Sequence, residues 1–162
     1  MALLEIADLR LEFAGRRGVT PVLHGIDLRL ERRGILGLVG ESGSGKSVTG
    51  LSVSRLIPCP PARYTGGTVR LDGEDVLGAG EAALRRLRGV RVGVVFQDPS
   101  SNFNPLFTVA EQMRDVALHV AQVAPERIGL TPDSGWRARR RAALAVSIDM
   151  LDRVGIPDPA RR

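Results

Sequence analysis

The residues Gly40-Glu41-Ser42-Gly43-Ser44-Gly45-Lys46-Ser47 carry the clearest chemistry in the chain, and that chemistry is the holding of phosphate. They fit the spacing G-x-x-x-x-G-K-[ST]. Glycines at this spacing let backbone N–H groups converge on anionic oxygens where a Cβ would stand in the way. A helix that starts at such a loop points its N-terminus at the same anion. Lys46 supplies a compact ammonium for the outer phosphates, and Ser47 a hydroxyl ligand for Mg²⁺. Glu41, Ser42, Ser44 and Val48 complete the candidate contacts of the loop. Lys46 is also the only lysine among 23 basic residues. A chain that otherwise writes positive charge as arginine writes it here as an ammonium, the group suited to reach between the β- and γ-phosphates. A glycine- and serine-rich loop that matches by accident is the plain alternative. Gln97 is the second candidate. It follows the apolar run Val92–Phe96 and opens a polar loop, where an amide can bind Mg²⁺ or orient a water without competing for protons.

These residues need elements to position them. Ile35-Leu36-Gly37-Leu38-Val39 reads as a buried strand leading into the loop, and Ser47 to Leu56 as the helix leaving it. Val92 to Phe96 reads as a second buried strand, with Gln97 at its carboxyl end, where α/β folds place residues that face ligands. Leu9, Leu11 and Phe13 alternate, as do Ile26, Leu28 and Leu30, so both segments read as half-buried strands. Ile57 to Gly67, rich in Pro and Gly, reads as a long loop. Thr68 to Leu71 reads as a short strand closed by the Asp72-Gly73 turn, and Glu81 to Leu87 as a short helix. Thr108 with Glu111 three residues on predicts a helix start built as a capping box. A last helix runs from about Ser134 to Arg153 and is closed by Gly155. No strand is expected after Pro105. The expected division is therefore 1–105, mixed α/β, and 106–162, helical.

Composition narrows the function classes. At 162 residues a single domain is the default, and 43% hydrophobic residues suffice for a core. No apolar run approaches the roughly 18 residues of a membrane-spanning helix. The start, with acids at Glu5 and Asp8, lacks the basic region of a secretory leader, so the chain is expected in the cytosol. Cys59 is the only cysteine, which excludes an internal disulfide and a cysteine-based zinc site. The net charge of +5 admits nucleic acid, anionic lipid or an acidic partner. The densest basic cluster, Arg137 with Arg139, Arg140 and Arg141, reads either as a solvated helix face or as a contact surface. His24 and His119 read as surface or core residues.

Taken together, Phe13, the loop 40–47, the stretch Gly66-Gly67-Thr68-Val69-Arg70-Leu71-Asp72-Gly73-Glu74-Asp75 and the block Val94-Val95-Phe96-Gln97-Asp98-Pro99 resemble the nucleotide-binding subunit of an ATP-binding cassette (ABC) transporter. The continuation Ser100 to Pro105 and the ending Val154 to Pro159 are similar to the branch that imports dipeptides, oligopeptides or nickel. The resemblance covers essentially the whole chain. It implies an α/β fold of the P-loop NTPase type: an ABC ATPase core, an antiparallel β layer at the amino end and the start of a helical subdomain, incomplete as a whole. It implies ATP and Mg²⁺ as cofactors. Lys46 and Gln97 take the catalytic-site roles, and Ser47 and Gln97 the metal contacts. Phe13 falls where the family sets an aromatic against adenine, although a plain strand-core Phe fits as well.

The implied partners are transmembrane permease subunits, met through the Gln97–Pro105 loop, and a second ATPase subunit. An extracytoplasmic binding protein acts indirectly. The implied location is the cytoplasmic face of the membrane. Three features of the family are not found in the sequence: the Leu-Ser-Gly-Gly-Gln signature, the apolar strand ending Asp-Glu, and the later switch histidine. Ala142 to Asp149 imitates that strand, but Met150 follows where Glu belongs, and Leu144, Ile148 and Leu151 share a helical stripe. The expected behaviour is Mg-ATP binding without appreciable hydrolysis. The rivals are a nucleotide-binding module without turnover and a soluble ABC ATPase acting on nucleic acid or ribosomes.

Overall fold

Leu4 and Ile6 carry the buried face of the first strand on even positions, whereas Leu9 and Leu11 carry it on odd ones. Side chains alternate with period two, so this change of phase requires one extra residue. The computed structural model, which describes residues 2–16, 18–98 and 103–159, shows where it sits. Strand β1 (Ala2–Gly15) pairs antiparallel with β2 (Gly18–Glu31) and with β3 (Ala62–Leu71). Ile6 faces Leu28 and Leu9 faces Ile26, so two β1 residues, Ala7 and Asp8, stand against one residue of β2. On the other side Ala7 faces Thr68 and Arg10 faces Gly66, so Asp8 and Leu9 stand against Gly67. Asp8 has a positive φ of 46°. Its amide donates to Asp27 Oδ1 at 2.9 Å, which satisfies a group the bulge removes from the ladder.

The chain forms two compact units, Met1–Leu84 and Arg85–Arg162. The first is built on the sheet, in the order β2-β1-β3-β4, with β4 being Glu74–Asp75. The expected Asp72-Gly73 turn joins β3 to β4, with φ of 53° and 82° at its two residues. Strand β3 begins at Ala62, six residues before the expected strand. Pairing of Phe13 with Ala62 and of Leu11 with Tyr64 draws the supposed loop into the ladder. Leu9, Leu11, Leu23, Val69 and Val76 form the core. Helix α1 (Lys46–Ser52) carries three buried polar groups at or near its carboxyl half: Thr49, Ser52 and Ser54. Ser52 Oγ donates to the Val48 carbonyl at 2.7 Å and lies 3.2 Å from the Tyr64 hydroxyl, which ties α1 to β3. Helix α2 (Glu81–Leu87) has the expected bounds.

In the second unit α3 (Val109–Val123) packs on α4 (Trp136–Arg153), joined through a 3-10 turn at Pro125–Ile128. Small buried residues, Ala117 and Ala121 on α3 and Ala143 and Ser147 on α4, allow the close approach. The segment Ala142–Asp149 is helical, as its stripe predicts. Arg139 departs from the expected basic face. Its guanidinium donates to the carbonyls of Ser134, Ala121 and Pro132 at 2.8, 3.0 and 2.6 Å, so it binds α4 to the end of α3 and to the preceding turn. Arg140 stacks over Trp136, 5.0 Å from the ring centroid.

Further expectations need correction: the helix expected to run to Leu56 ends at Ser52, and two expected strands are absent. Neither Ile35–Val39 nor Val92–Phe96 forms a strand, and neither is buried. Ile35 is 100% exposed and Val95 96%. Runs that are apolar throughout belong to parallel sheets covered on both faces, and such strands exist only as members of a ladder. Among the described residues no strand pairs with either run; an isolated bridge between Arg88 and Val92 is the nearest approach.

The start of α3 has the predicted capping box. Glu111 N–H donates to Thr108 Oγ1 at 3.2 Å, and Glu111 Oε2 accepts from the Thr108 N–H and hydroxyl, each at 2.9 Å. The backbone bond from Thr108, reinforced by its hydroxyl, lowers the Glu111 carboxyl below its ordinary 4.5. A depressed folded-state value means the box contributes fully above pH 4.5 and is lost as pH falls through the lowered value. Acid titration is therefore expected to weaken, not abolish, the protection of the Thr108 amide in that window, as a charged acceptor gives way to a neutral one. Glu111→Gln, which accepts the same bond without titrating, is expected to show no such transition.

Candidate functional site

The loop 40–47 is shaped by where its glycines and its lysine must lie. Gly45 is the N-cap of α1, in the left-handed region at φ 87°. It packs so closely on β2 that an added Cβ would meet Leu23 Cδ2 at 2.8 Å and the Val22 carbonyl at 3.4 Å. A side chain at this position would lift the helix start off the sheet. The Gly45 carbonyl accepts from Thr49 twice, from its N–H at 2.8 Å and its hydroxyl at 3.0 Å, so the first turn of α1 is fixed from within.

Lys46 bends back over the loop that precedes it. Its Nζ donates to the carbonyls of Gly40 at 2.8 Å and Glu41 at 2.6 Å, and to Ser44 Oγ at 3.2 Å. The loop is thus closed around its own ammonium, and Ser44 N–H adds a bond to the Glu41 carbonyl at 3.3 Å. No side chain caps α1, and no acidic residue stands in its first turn. A helix start with no side-chain cap, next to a positive charge, leaves amide donors for an anion. Ser47 is exposed, Val48 is half-buried, and Glu41, Ser42, Gly43 and Ser44 lie on the surface. This donor set fits a polyphosphate. It also fits a magnesium ion carried by that polyphosphate, with Ser47 as the hydroxyl ligand. Among the described residues no cluster of three or more His, Cys, Asp or Glu side chains could hold a metal by itself.

The other candidates lie apart in the chain. Phe13 sits on β1 between Thr20 of β2 and Ala62 of β3, half-buried. Gln97 is exposed and belongs to the second compact unit, at a bend after the unpaired run Val92–Phe96. Val94, Val95 and Phe96 border an apolar cavity of about 720 Å³ together with Phe103, Met113 and Val116. Of the loop that follows Gln97, residues 99–102 lie outside the described residues.

A further polar residue, Gln112 in the first turn of α3, had no evident role in the sequence. Its Oε1 accepts from the Asn104 N–H at 2.9 Å, and its Nε2 donates to the carbonyls of Asn104 at 3.1 Å and Phe107 at 3.0 Å. The signal that could have flagged it is an amide in the first turn of a helix, four residues after an N-cap threonine, where an apolar residue would be usual.

Against known proteins, the family model described as ABC transporter matches residues 23–161. The chain belongs to the ABC transporter family. It is 40% identical to a probable D,D-dipeptide transport ATP-binding protein of Escherichia coli K12, with 96% of this chain and 43% of that protein covered. It is 33% identical to an oligopeptide transport ATP-binding protein of Bacillus subtilis 168, with 99% and 40% covered. An uncharacterized ABC transporter ATP-binding protein of E. coli K12 is 39% identical, with 99% and 27% covered. The chain therefore spans between 27% and 43% of the length of these curated relatives. Among solved structures, a dimeric ATP-binding cassette in a post-hydrolysis state with ADP and Pi aligns with a TM-score of 0.62 at 21% identity, covering 92% of this chain and 57% of that one. That likeness shows the fold: the antiparallel sheet and helices are those of an ABC ATPase cassette, present in part. ATP with Mg²⁺ is the cofactor of the family.

Proposed function

We propose that this chain is the ATP-holding part of an ABC ATPase that powers the import of peptides or similar small solutes. The observation that carries the reading is the loop 40–47, in which the one ammonium of an otherwise arginine-only chain is folded onto the Gly40 and Glu41 carbonyls beside an uncapped helix start. Triphosphate oxygens compete with those carbonyls for Lys46 Nζ, and the amides that open α1 complete the cradle. Ser47 would hold Mg²⁺ through its hydroxyl, and the family resemblance gives Gln97 the role of a further ligand. Mg²⁺, when bound, neutralises charge on the outer phosphates. Phe13 offers its ring to the base.

The same reading assigns the partners. Permease subunits meet the Gln97–Pro105 loop, a second ATPase subunit faces the nucleotide, and an extracytoplasmic binding protein delivers the solute. The ATPase works at the cytoplasmic face of the membrane; no helix among the described residues is long and apolar enough to cross it. Residues 1–105 hold the nucleotide and the Gln97 loop, and 106–162 open a helical subdomain. The relatives named as peptide and dipeptide transport ATP-binding proteins support the solute class.

The test is calorimetry with Mg-ATP and Mg-ADP, paired with a turnover assay on the same sample. Binding of both nucleotides in the micromolar range, about −8 kcal/mol, with no steady release of phosphate, is the expected result. Absence of nucleotide binding by folded protein would overturn the reading, and sustained hydrolysis would overturn its non-hydrolytic part.

A further inference from the structure

Lys46 and Ser47 are the first two residues of α1, so the placement of α1 decides where the ammonium and the hydroxyl of the loop stand. A helix of seven residues does not hold itself in water, and its placement is set by what anchors it. At its front end Gly45 presses on Leu23 and on the Val22 carbonyl of β2. At its back end the anchor is polar. Ser52, the last residue of α1, is fully buried, and its Oγ donates to the Val48 carbonyl at 2.7 Å. A serine hydroxyl has one proton to give, so Ser52 is the acceptor in its second bond, 3.2 Å from the Tyr64 hydroxyl.

The result is a relay from β3 into α1: Tyr64 hydroxyl to Ser52 Oγ, and Ser52 Oγ to the carbonyl of Val48, the residue after Ser47. Tyr64 is half-buried, and burial pushes its phenol above the ordinary value, so the hydroxyl stays a donor. Apolar contact is non-directional and leaves a short helix free to turn or slide on its bed. A hydrogen bond has a preferred direction, and a buried acceptor that loses its donor gets no replacement from water.

We propose that Tyr64 is a positioning residue for the nucleotide: acting through Ser52 and the Val48 carbonyl, its hydroxyl holds α1 in the placement that presents Lys46 and Ser47 to the triphosphate. The ligand rests on the nucleotide reading above; the anchor from Tyr64 to α1 does not. A chain in which α1 spends only part of its time in that placement binds nucleotide more weakly in proportion.

The experiment compares the wild-type chain with Tyr64→Phe, which keeps the ring and removes only the hydroxyl. Gly73→Ala, at the β3–β4 turn, serves as a control that costs stability in the same unit. Calorimetry measures affinity for Mg-ATP and for Mg-pyrophosphate. Hydrogen exchange reads the Thr49 amide, which donates to the Gly45 carbonyl at 2.8 Å in the first turn of α1. Tyr64→Phe is expected to weaken both ligands about fivefold, the worth of one hydrogen bond of this kind, and to lower Thr49 protection. Gly73→Ala is expected to lose at least as much stability in urea with both affinities unchanged. In a Ser52→Ala background Tyr64→Phe is expected to add nothing, because the path runs through Ser52. If Tyr64→Phe fails to fold, Ser52→Ala breaks the same bond from its other side and is read in its place. Unchanged affinities in Tyr64→Phe overturn the positioning role, and so does an equal fall in Gly73→Ala, which would tie the loss to general stability. A second fivefold fall in the Ser52→Ala background overturns the path through Ser52. Unchanged Thr49 protection in Tyr64→Phe overturns the anchor. A wild type that binds neither ligand overturns the nucleotide reading and the positioning role with it, while Thr49 protection on the same samples still decides the anchor.

Discussion

Replacing Lys46 by alanine is expected to weaken Mg-ATP binding by at least about a hundredfold, because two charge-assisted contacts to phosphate are each worth roughly 1.5–3 kcal/mol. The folded chain should barely register the change. The bonds that Lys46 Nζ makes run to the Gly40 and Glu41 carbonyls and to Ser44 Oγ, all on an exposed loop where water can replace the ammonium. Thermal melting within a few degrees of wild type, about 1 kcal/mol or less, is therefore the companion expectation. Lys46→Arg sharpens the test. It keeps the charge but replaces a compact ammonium with a planar fork on a longer arm, which cannot repeat the point contacts of the Lys46 Nζ. Binding by Lys46→Arg is expected to stay nearer the alanine variant than the wild type. Nucleotide affinity unchanged by Lys46→Ala would mean that the loop does not hold the phosphates.

Gly67→Ala is the substitution expected to damage the fold most. An added Cβ would lie 2.3 Å from the Asp8 carbonyl oxygen, 2.4 Å from its carbon and 2.5 Å from the Ala7 carbonyl oxygen. These are backbone atoms of the β1 bulge, so no rotamer relieves the clash. Relief requires undoing the bulge, and that would turn either the Leu4–Ile6 set or the Leu9–Leu11 set away from the core. A loss of about 3–5 kcal/mol follows, a large share of the roughly 5–15 kcal/mol of an ordinary domain. Gly73→Ala is the matched control. Gly73 has the same φ, 82°, as Gly67, but nothing lies within 4 Å of its added Cβ. It is expected to cost only the left-handed backbone penalty, roughly 1–2 kcal/mol. Urea denaturation of the two variants separates conformational strain from collision, and equal losses would show that the bulge does not depend on Gly67.

Several features were legible in the sequence because each closes within a few residues. The Thr108–Glu111 box, the Asp72-Gly73 turn and the helix Glu81–Leu87 need only neighbouring atoms, and each occurs where its residues predict. The stripe through Leu144, Ile148 and Leu151 correctly marked Ala142–Asp149 as helix despite its apolar, strand-like composition. The reach of β3 back to Ala62 was not legible, because Pro58, Pro60 and Pro61 signal a loop and only pairing with β1 extends the strand beyond it. The runs Ile35–Val39 and Val92–Phe96 misled for the converse reason. Their composition is that of buried parallel strands, but a strand exists only where another supplies its hydrogen bonds, and composition does not report that.

The candidate site divides along the same line. Its glycine spacing, its lone lysine and its following helix are patterns in one dimension, and the membership of the ABC transporter family follows from residues that can be read in order. How the Lys46 ammonium is held, why Gly45 must press on Leu23, and what Gln112 does for a turn eight residues before it required the chain to be folded.

By itself the sequence determined the family, the loop that can cradle a polyphosphate, and the Thr108–Glu111 cap and Asp72-Gly73 turn, whose donors and acceptors are near neighbours. Tertiary structure alone decided the phase of β1, the close approach at Gly67, the work of Arg139 and the bonds of Gln112 to Asn104 and Phe107. Each of those rests on atoms that meet only when distant segments return to one another, and a hydrogen bond or a collision across such a return has no period or spacing along the chain to announce it.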